Sequence, residues 1–369
     1  MYRRSILPLA VAGVALLAGA ATARADAFLD EAKAVVAAAT GRADKWDGPT
    51  TGPKAQAGKT VVYVAADLRN GGIQGVANGF EEAGKVLGWT TRVLDGQGSV
   101  SGIDSAFGQA MALKPDGIVI GGFDIVQNAA KIEDAAKQGI KLVAWHGAPK
   151  PGPVDGTEVF FNVTTDSAKV AEVAAMYAIA QSDGKAGVVV FTDSAYAIAL
   201  SKARAMEEVV KKCAGCTVLS FEDSPLADAS GRMPQLTTSL LQRFGDKWTY
   251  SLAINDLYFD FMGASLISAG KDPGGAPYNI SAGDGSESAY ERIRTGQFQA
   301  ATVPEPLTLQ GWQLVDELNR AFAGEKSSGY FAPVHLVTKD NVEFDGGPKN
   351  VYDPDNGYRD AYRKIWGVN

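Results

Sequence analysis

From Lys59 onward the chain alternates short β-branched runs with amphipathic helical stretches, and this alternation restricts the folds open to it more than any other feature. Residues 60–65 form the first such run. Ile73, Val76, Phe80, Ala83 and Leu87 then recur at three- and four-residue intervals, the spacing of a helix with one apolar face. The pattern repeats, with strands predicted at 91–94, 117–120, 141–144, 187–191, 217–221, 251–254, 278–282 and 300–303. Parallel strands joined through helices make an α/β fold with sheets covered on both faces. About nine or ten strands are too many for one small doubly wound sheet, so two lobes of five or six strands are expected, with a cleft between them.

Several function classes are excluded by what accompanies this pattern. The 369 residues carry 35 basic and 42 acidic side chains with no basic run, which argues against a nucleic-acid partner. Two histidines leave little for a metal site, and no cofactor is expected. The run after the first strand, Arg69-Asn70-Gly71-Gly72-Ile73-Gln74-Gly75, does not match the dinucleotide fingerprint Gly-x-Gly-x-x-Gly. Neither a Gly-x-Ser-x-Gly elbow nor a Gly-x-x-x-x-Gly-Lys-Ser/Thr loop occurs, so a non-enzymatic role is expected.

Residues 1–25 read as a cleaved secretory leader. Arg3 and Arg4 precede an apolar stretch from Ser5 to Ala20, and Ala23-Arg24-Ala25 supplies a small-x-small site. The apolar stretch is shorter than the ~20 residues a spanning helix needs. Cleavage would remove three arginines and no acids, leaving 32 basic residues against 42 acidic and a soluble chain outside the cytoplasm. In that oxidising compartment Cys213 and Cys216 are expected to form a local disulfide. Residues 26–58 form an N-terminal extension: 28–39 reads as a helix, and Trp46-Asp47-Gly48-Pro49 breaks it.

In open parallel sheets ligands bind beyond the carboxyl ends of strands. The residues there include Asp67-Leu68-Arg69-Asn70, Phe123-Asp124, Trp145-His146, Asp193 to Tyr196, Asn255-Asp256, Asp284 and Glu305. Amides and carboxylates bond hydroxyls or amines while rings cover apolar faces, so a polar small molecule is the expected ligand.

Three segments add specificity: Ala253-Ile254-Asn255-Asp256, Ser281-Ala282-Gly283-Asp284-Gly285, and Ala301-Thr302-Val303-Pro304-Glu305-Pro306 leading to Gly311. In this order and spacing the chain resembles the periplasmic sugar-binding proteins of the ribose/galactose type, the type I receptors of ABC importers. The resemblance covers roughly residues 59–337. It implies two Rossmann-like lobes joined by three hinge crossings, near 163–166, 305–307 and 333–336, and a first lobe of 59–164 plus 306–333. The second lobe would comprise 165–305 plus 334–369. It further implies a monomer that closes on its ligand and hands it to a permease in the inner membrane. Asn70, Asn255 and Asp284 match ligand-contacting positions of the family, Glu305 a hinge Gln, and Lys202 a ligand-binding Arg. Gly121 stands where the family often has a polar contact, which makes Asp124 the nearer candidate. The usual Asp-Arg after the fourth strand is replaced by Trp145-His146, and a clamp aromatic by Gly72-Ile73. Trp145, Phe123, Tyr196 or Tyr258 would then supply stacking. A small sugar or polyol is the expected ligand. Asp67, Asp124, Asp284 and Glu305 could instead surround a cationic or amine-bearing molecule, and a receptor of this kind could also serve a membrane signalling partner.

Overall fold

The computed structural model describes residues 12–368, with side chains described from Ala25 onward. Of the expected leader, residues 1–11 lie outside the described residues. Among the described residues no helix is long and apolar enough to cross a membrane.

Two sheets form the frame. The first contains β1 (Thr60–Ala65), β2 (Thr90–Asp95), β3 (Gly117–Gly121), β4 (Lys141–Trp145) and β5 (Val159–Val163), all parallel, in the order β2-β1-β3-β4-β5. The second contains β6 (Gly187–Thr192), β7 (Thr217–Asp223), β8 (Tyr250–Ala253), β9 (Tyr278–Ser281), β10 (Gln299–Thr302) and β11 (Val337–Thr338). Its order is β11-β10-β9-β8-β6-β7, parallel except for β11, which runs antiparallel to β10. The inner strands are apolar and buried on both faces, as β1 and β3 illustrate, because helices cover each side. Strands β5 and β11 carry no clear signal in the sequence: β5 follows a Pro- and Gly-rich stretch, and β11 is two residues long.

The helices in chain order are α1 (Ala12–Ala39), α2 (Gly71–Val86), α3 (Val100–Ala112), α4 (Ala129–Lys137), α5 (Ser167–Gln181), α6 (Ala197–Lys212) and α7 (Ala229–Phe244). They continue with α8 (Leu257–Asp260), α9 (Gly263–Ser268), α10 (Glu287–Thr295), α11 (Leu307–Ala323), α12 (Val342–Asp345) and α13 (Tyr358–Trp366). Several start on side-chain caps. Asn70 accepts from the backbone N–H of Gly72 and Ile73, and Asp166 does the same for Ala168 and Lys169. Cys213 and Cys216 are joined as a disulfide at the end of α6.

Residues of the two cores show where the chain passes between lobes. Val163 lies in the first core and Val170 in the second; Val303 lies in the second and Leu307 in the first; Ala332 lies in the first and Leu336 in the second. Two further passages come from the ends of the chain. Ala32 and Ala39 of α1 belong to the second core, whereas Trp46 and Ala55 pack against the first. Tyr352 belongs to a cluster with Tyr290 and Val337 of the second lobe, whereas Tyr358, Tyr362, Ile365 and Trp366 enter the first core. The expectation that all of 334–369 joins the second lobe is therefore corrected for α13.

The reason lies on α11, which is buried along most of its length, polar residues included. Arg320 donates to Asp316 at 2.7 Å and to the Thr51 carbonyl at 2.7 Å, and Trp366 donates to Asp316 at 2.8 Å. Asn319 accepts from the Gln56 N–H at 2.8 Å and donates to the Pro53 carbonyl at 3.2 Å. Residues 46–56 and α13 are thus the partners that let α11 bury a polar face. Trp46 anchors this strap, its ring 5.1 Å from that of Tyr330 and 5.3 Å from that of Tyr362.

Trp46 is half-buried, so Trp46→Ala should lower stability by about 2–3 kcal/mol, less than the ~3–5 kcal/mol of a fully buried Trp. Urea unfolding measures this, and an unchanged midpoint would show that the strap adds nothing to the first lobe.

Candidate functional site

Strand register brings the candidate residues together. Ala65 of β1 lies opposite Gly121 of β3, Gly121 opposite Trp145 of β4, and Trp145 opposite Val163 of β5. In the second sheet Ala253 lies opposite Phe191 and Ser281, and Ser281 opposite Thr302. The strands of each sheet therefore end level, and the residues that follow them line one cavity of about 190 Å³ between the lobes. That is slightly more than the ~150 Å³ apolar cavity that holds a benzene, the size of one small ring compound.

The first lobe contributes Asp67, Arg69, Asn70, Ile73, Trp145 and His146. Asp67 accepts from Arg69 Nε at 2.9 Å and Nη2 at 2.7 Å, so its charge is matched within the loop. The Asn70 carbonyl oxygen caps α2, which leaves its amide N–H₂ for the cavity. His146 has φ of 51°, a left-handed conformation that a non-glycine residue adopts at a cost. Its ring stacks on Trp145 at 3.8 Å, and its Nε2 lies 3.2 Å from Glu305 Oε1.

The second lobe contributes Tyr196, Lys202, Asn255 and Asp284, together with an apolar group described below. Asn255 donates to Asp284 Oδ2 at 2.6 Å while its carbonyl oxygen accepts from the Leu257 N–H at 3.0 Å. One amide therefore both caps the following turn and aims the carboxylate. Asp284 has φ of 32°, and His146 Nδ1 lies 3.8 Å from its Oδ1. Lys202, buried, donates to the carbonyls of Ala282 at 2.6 Å and Ile254 at 3.3 Å, tying together the ends of β8 and β9. Burial pushes the Tyr196 phenol up to about 12, so it meets a ligand as a neutral hydroxyl.

Behind the cavity wall two carboxylates do different work. Asp256 does not cap α8; it accepts from the Gly285 N–H at 2.9 Å, Gln299 at 2.6 Å and Thr302 at 3.3 Å, bracing the loop that presents Asp284. Burial pushes its carboxyl up to about 6, against the pull of Gln299, Arg292 and Gly285. Glu305 is buried at the passage between the lobes. It accepts from the Thr165 hydroxyl at 2.6 Å, the Thr165 N–H at 3.3 Å and Gln310, and Gln310 in turn accepts from Trp145 at 2.7 Å. Burial acts to raise this carboxyl too, but His146, Thr165 and Lys202 outweigh it and hold it down at about 2.

Of the sequence-predicted residues, Asp67, Asn70, Trp145, His146, Tyr196, Lys202, Asn255 and Asp284 line the cavity. Phe123 is buried in the first core. Asp124 turns back to accept from the Gln127 N–H at 2.8 Å, and Tyr258 donates to the Ser224 carbonyl at 2.7 Å inside the second lobe. Glu305 lies behind His146 instead of in the cavity. Of the four carboxylates expected to surround a cation, only Asp284 therefore faces the cavity without a cationic side-chain partner of its own loop. Lys202 also lies on the wall, so the basis for a cationic ligand is absent.

Sequence reading missed the apolar wall of Ile198, Leu226, Leu257 and Phe261, because residues at the very start or end of a helix or turn carry no signal of facing a cleft. It also missed Tyr63. A Cβ at Gly121 would meet the Tyr63 ring at 2.2 Å and its hydroxyl oxygen at 2.7 Å, so the tyrosine fills the space where the resemblance places a polar contact. The Tyr63 hydroxyl is buried without a partner, and burial with the nearby Asp284 charge keeps it protonated.

The model of the periplasmic binding protein domain matches residues 61–326. No curated protein matches the chain in sequence. Among solved structures, the chain is similar to a glucose–galactose binding protein from Geobacillus stearothermophilus, with 18% identity, 78% of this chain and 99% of that one covered, and a TM-score of 0.68. It is similar to a sugar ABC transporter protein from Yersinia enterocolitica at 15% identity, covering 86% of this chain and 98% of that one, with a TM-score of 0.71. An Agrobacterium vitis ABC transporter solute-binding protein with bound allitol is 18% identical, with 78% and 97% covered and a TM-score of 0.64. These likenesses show a shared two-lobed fold.

Glu305 gives the site a pH signature. Its carboxyl is held at about 2 in the folded protein, against ~4.3 in an unfolded chain. A lowered acid contributes stability above the unfolded value, and that contribution is lost as pH falls through the folded one. Wild type should therefore exceed Glu305→Gln in stability at pH ~6, and the gap should narrow between pH ~4.5 and ~2. Urea unfolding across that range measures it, and a gap independent of pH would mean Glu305 is not held as an ion.

Proposed function

The chain belongs to the periplasmic binding protein family, and on that premise we propose that it is the solute receptor of an ABC importer, capturing a small sugar or polyol. The observation that carries this reading is the cavity at the level ends of both sheets, with unspent polar groups from each lobe. Asn70 Nδ2 and His146 face it from the first, Asp284 and Tyr196 from the second. A hydroxylated ring can be held by amide donors and a carboxylate acceptor at once. Ligand contacts to both lobes stabilise the closed arrangement by differential affinity, and the closed surface is what a membrane permease would recognise. No covalent step is required.

The structural neighbours support the substrate class: one is a glucose–galactose binding protein, one was solved with arabinofuranose and one with allitol. Family membership implies the periplasm; the reading takes residues 1–25 as the leader that carries the chain there and a monomer as the working unit.

Calorimetry against pentoses, hexoses and polyols tests the reading. A sugar at 100 times its dissociation constant should add ~2.7 kcal/mol of stability. Asn255→Ala and Asp284→Ala should each weaken binding by about 1–3 kcal/mol, on the order of 5- to 150-fold. Unchanged affinity in both variants would remove these residues from the site.

A further inference from the structure

The cavity wall is divided by the order of strands in the second sheet. At one edge of that sheet β7, β6 and β8 are neighbours, and β9 follows β8. The connections after β7 and β6 bring Leu226 and Ile198 together with Ser230, Tyr196 and Lys202, and the turn after β8 brings Leu257 and Phe261. The polar groups Asn255 and Asp284 stand directly at the ends of β8 and β9. Across the cleft the first lobe presents the Asp67–Arg69 pair, the Asn70 amide and His146.

Leu226, Leu257 and Phe261 are large and only half-buried, leaving part of each side chain open to the cleft. Three such residues on two separate connections give the second-lobe wall a large apolar component, beside the polar Tyr196, Lys202 and Ser230. The C–H face of a sugar ring can cover part of that wall, but rim hydroxyls directed at Leu226, Leu257 and Phe261 would be left without partners. Apolar surface concentrated in a cleft beside a few convergent polar groups marks a ligand with the same division.

Building on the receptor reading above, we infer that the ligand is an amphipathic sugar: a hydroxylated ring with a compact apolar substituent, such as a deoxy-sugar methyl or a short alkyl aglycone. The hydroxyls lie at Asn70, His146, Asn255 and Asp284. The apolar group points toward Leu226, Leu257 and Phe261. The modest cavity volume limits that group to a few carbons.

Calorimetric titration of the full chain tests this with matched pairs: galactose against its 6-deoxy form, and glucose, galactose and arabinose against their methyl and propyl glycosides. The substituted member of at least one pair should bind more tightly, by about four-fold for each methyl or methylene buried. Leu226→Asn changes a half-buried residue on a surface turn. It should erase that preference, read as the ratio of affinities within each pair. Phe261→Ser should act in the same direction, and its melting curve reports whether the variant folds. Unsubstituted sugars binding as tightly as or more tightly than every derivative would overturn the inference and leave the receptor reading standing. Failure of every sugar, polyol and glycoside to bind would overturn the receptor reading itself, and the inference with it.

Discussion

The structure depends on one buried charge. Glu305 sits where the chain passes from the second lobe back to the first, out of reach of water, and an ion in such a place must be saturated with donors. His146, the Thr165 hydroxyl and N–H, and Gln310 provide them. These donors come from the end of β4, the first passage between lobes and the start of α11. One carboxylate thereby fixes the relative position of two passages and a strand end. Through Gln310 it also orients Trp145, and through His146 it reaches Asp284 across the cleft. Hinge and binding site are consequently one hydrogen-bonded unit, and the left-handed backbone at His146 is held by this network.

A second constraint acts on the outer side of the first lobe. Helix α11 has apolar residues that face the sheet and polar residues that would ordinarily meet solvent. Here both are buried, because the N-terminal strap and the C-terminal helix lie over them. The strap begins on the second lobe through α1 and ends on the first, and the C-terminal segment does the same through Tyr352 and α13. Each chain end thus bridges the lobes away from the cleft, in addition to the passages that connect the two sheets.

The charge pattern of the cleft differs from what its composition suggests. Strand ends rich in carboxylates look like a site for a cation. In the fold Asp67 is neutralised by Arg69, Asp124 serves its own turn, Asp256 and Glu305 are withdrawn behind the wall, and Lys202 adds a positive charge. What faces the cavity is close to neutral, with Asp284 as its main acceptor. Local partners decide the sign of a site, and residue counts do not report them.

Much of the fold was legible because burial on both faces demands continuous apolar strands and one-faced helices, and those periods are visible in any sequence. The sequence by itself therefore determined two parallel α/β lobes, the positions of nine strands, and the placing of Asn70, Trp145, His146, Tyr196, Asn255 and Asp284 at strand ends. Tertiary structure alone decided which carboxylates face the cleft, that Phe123 and Tyr258 are core, and that Tyr63 fills the space beside Gly121. It alone placed α13 on the first lobe and assembled an apolar wall from Leu226, Leu257 and Phe261. The physical reason is common to all of these. Periodicity reports whether a residue is buried, but the identity of its neighbour depends on strand order and on how two lobes meet, which residues far apart in the chain decide together.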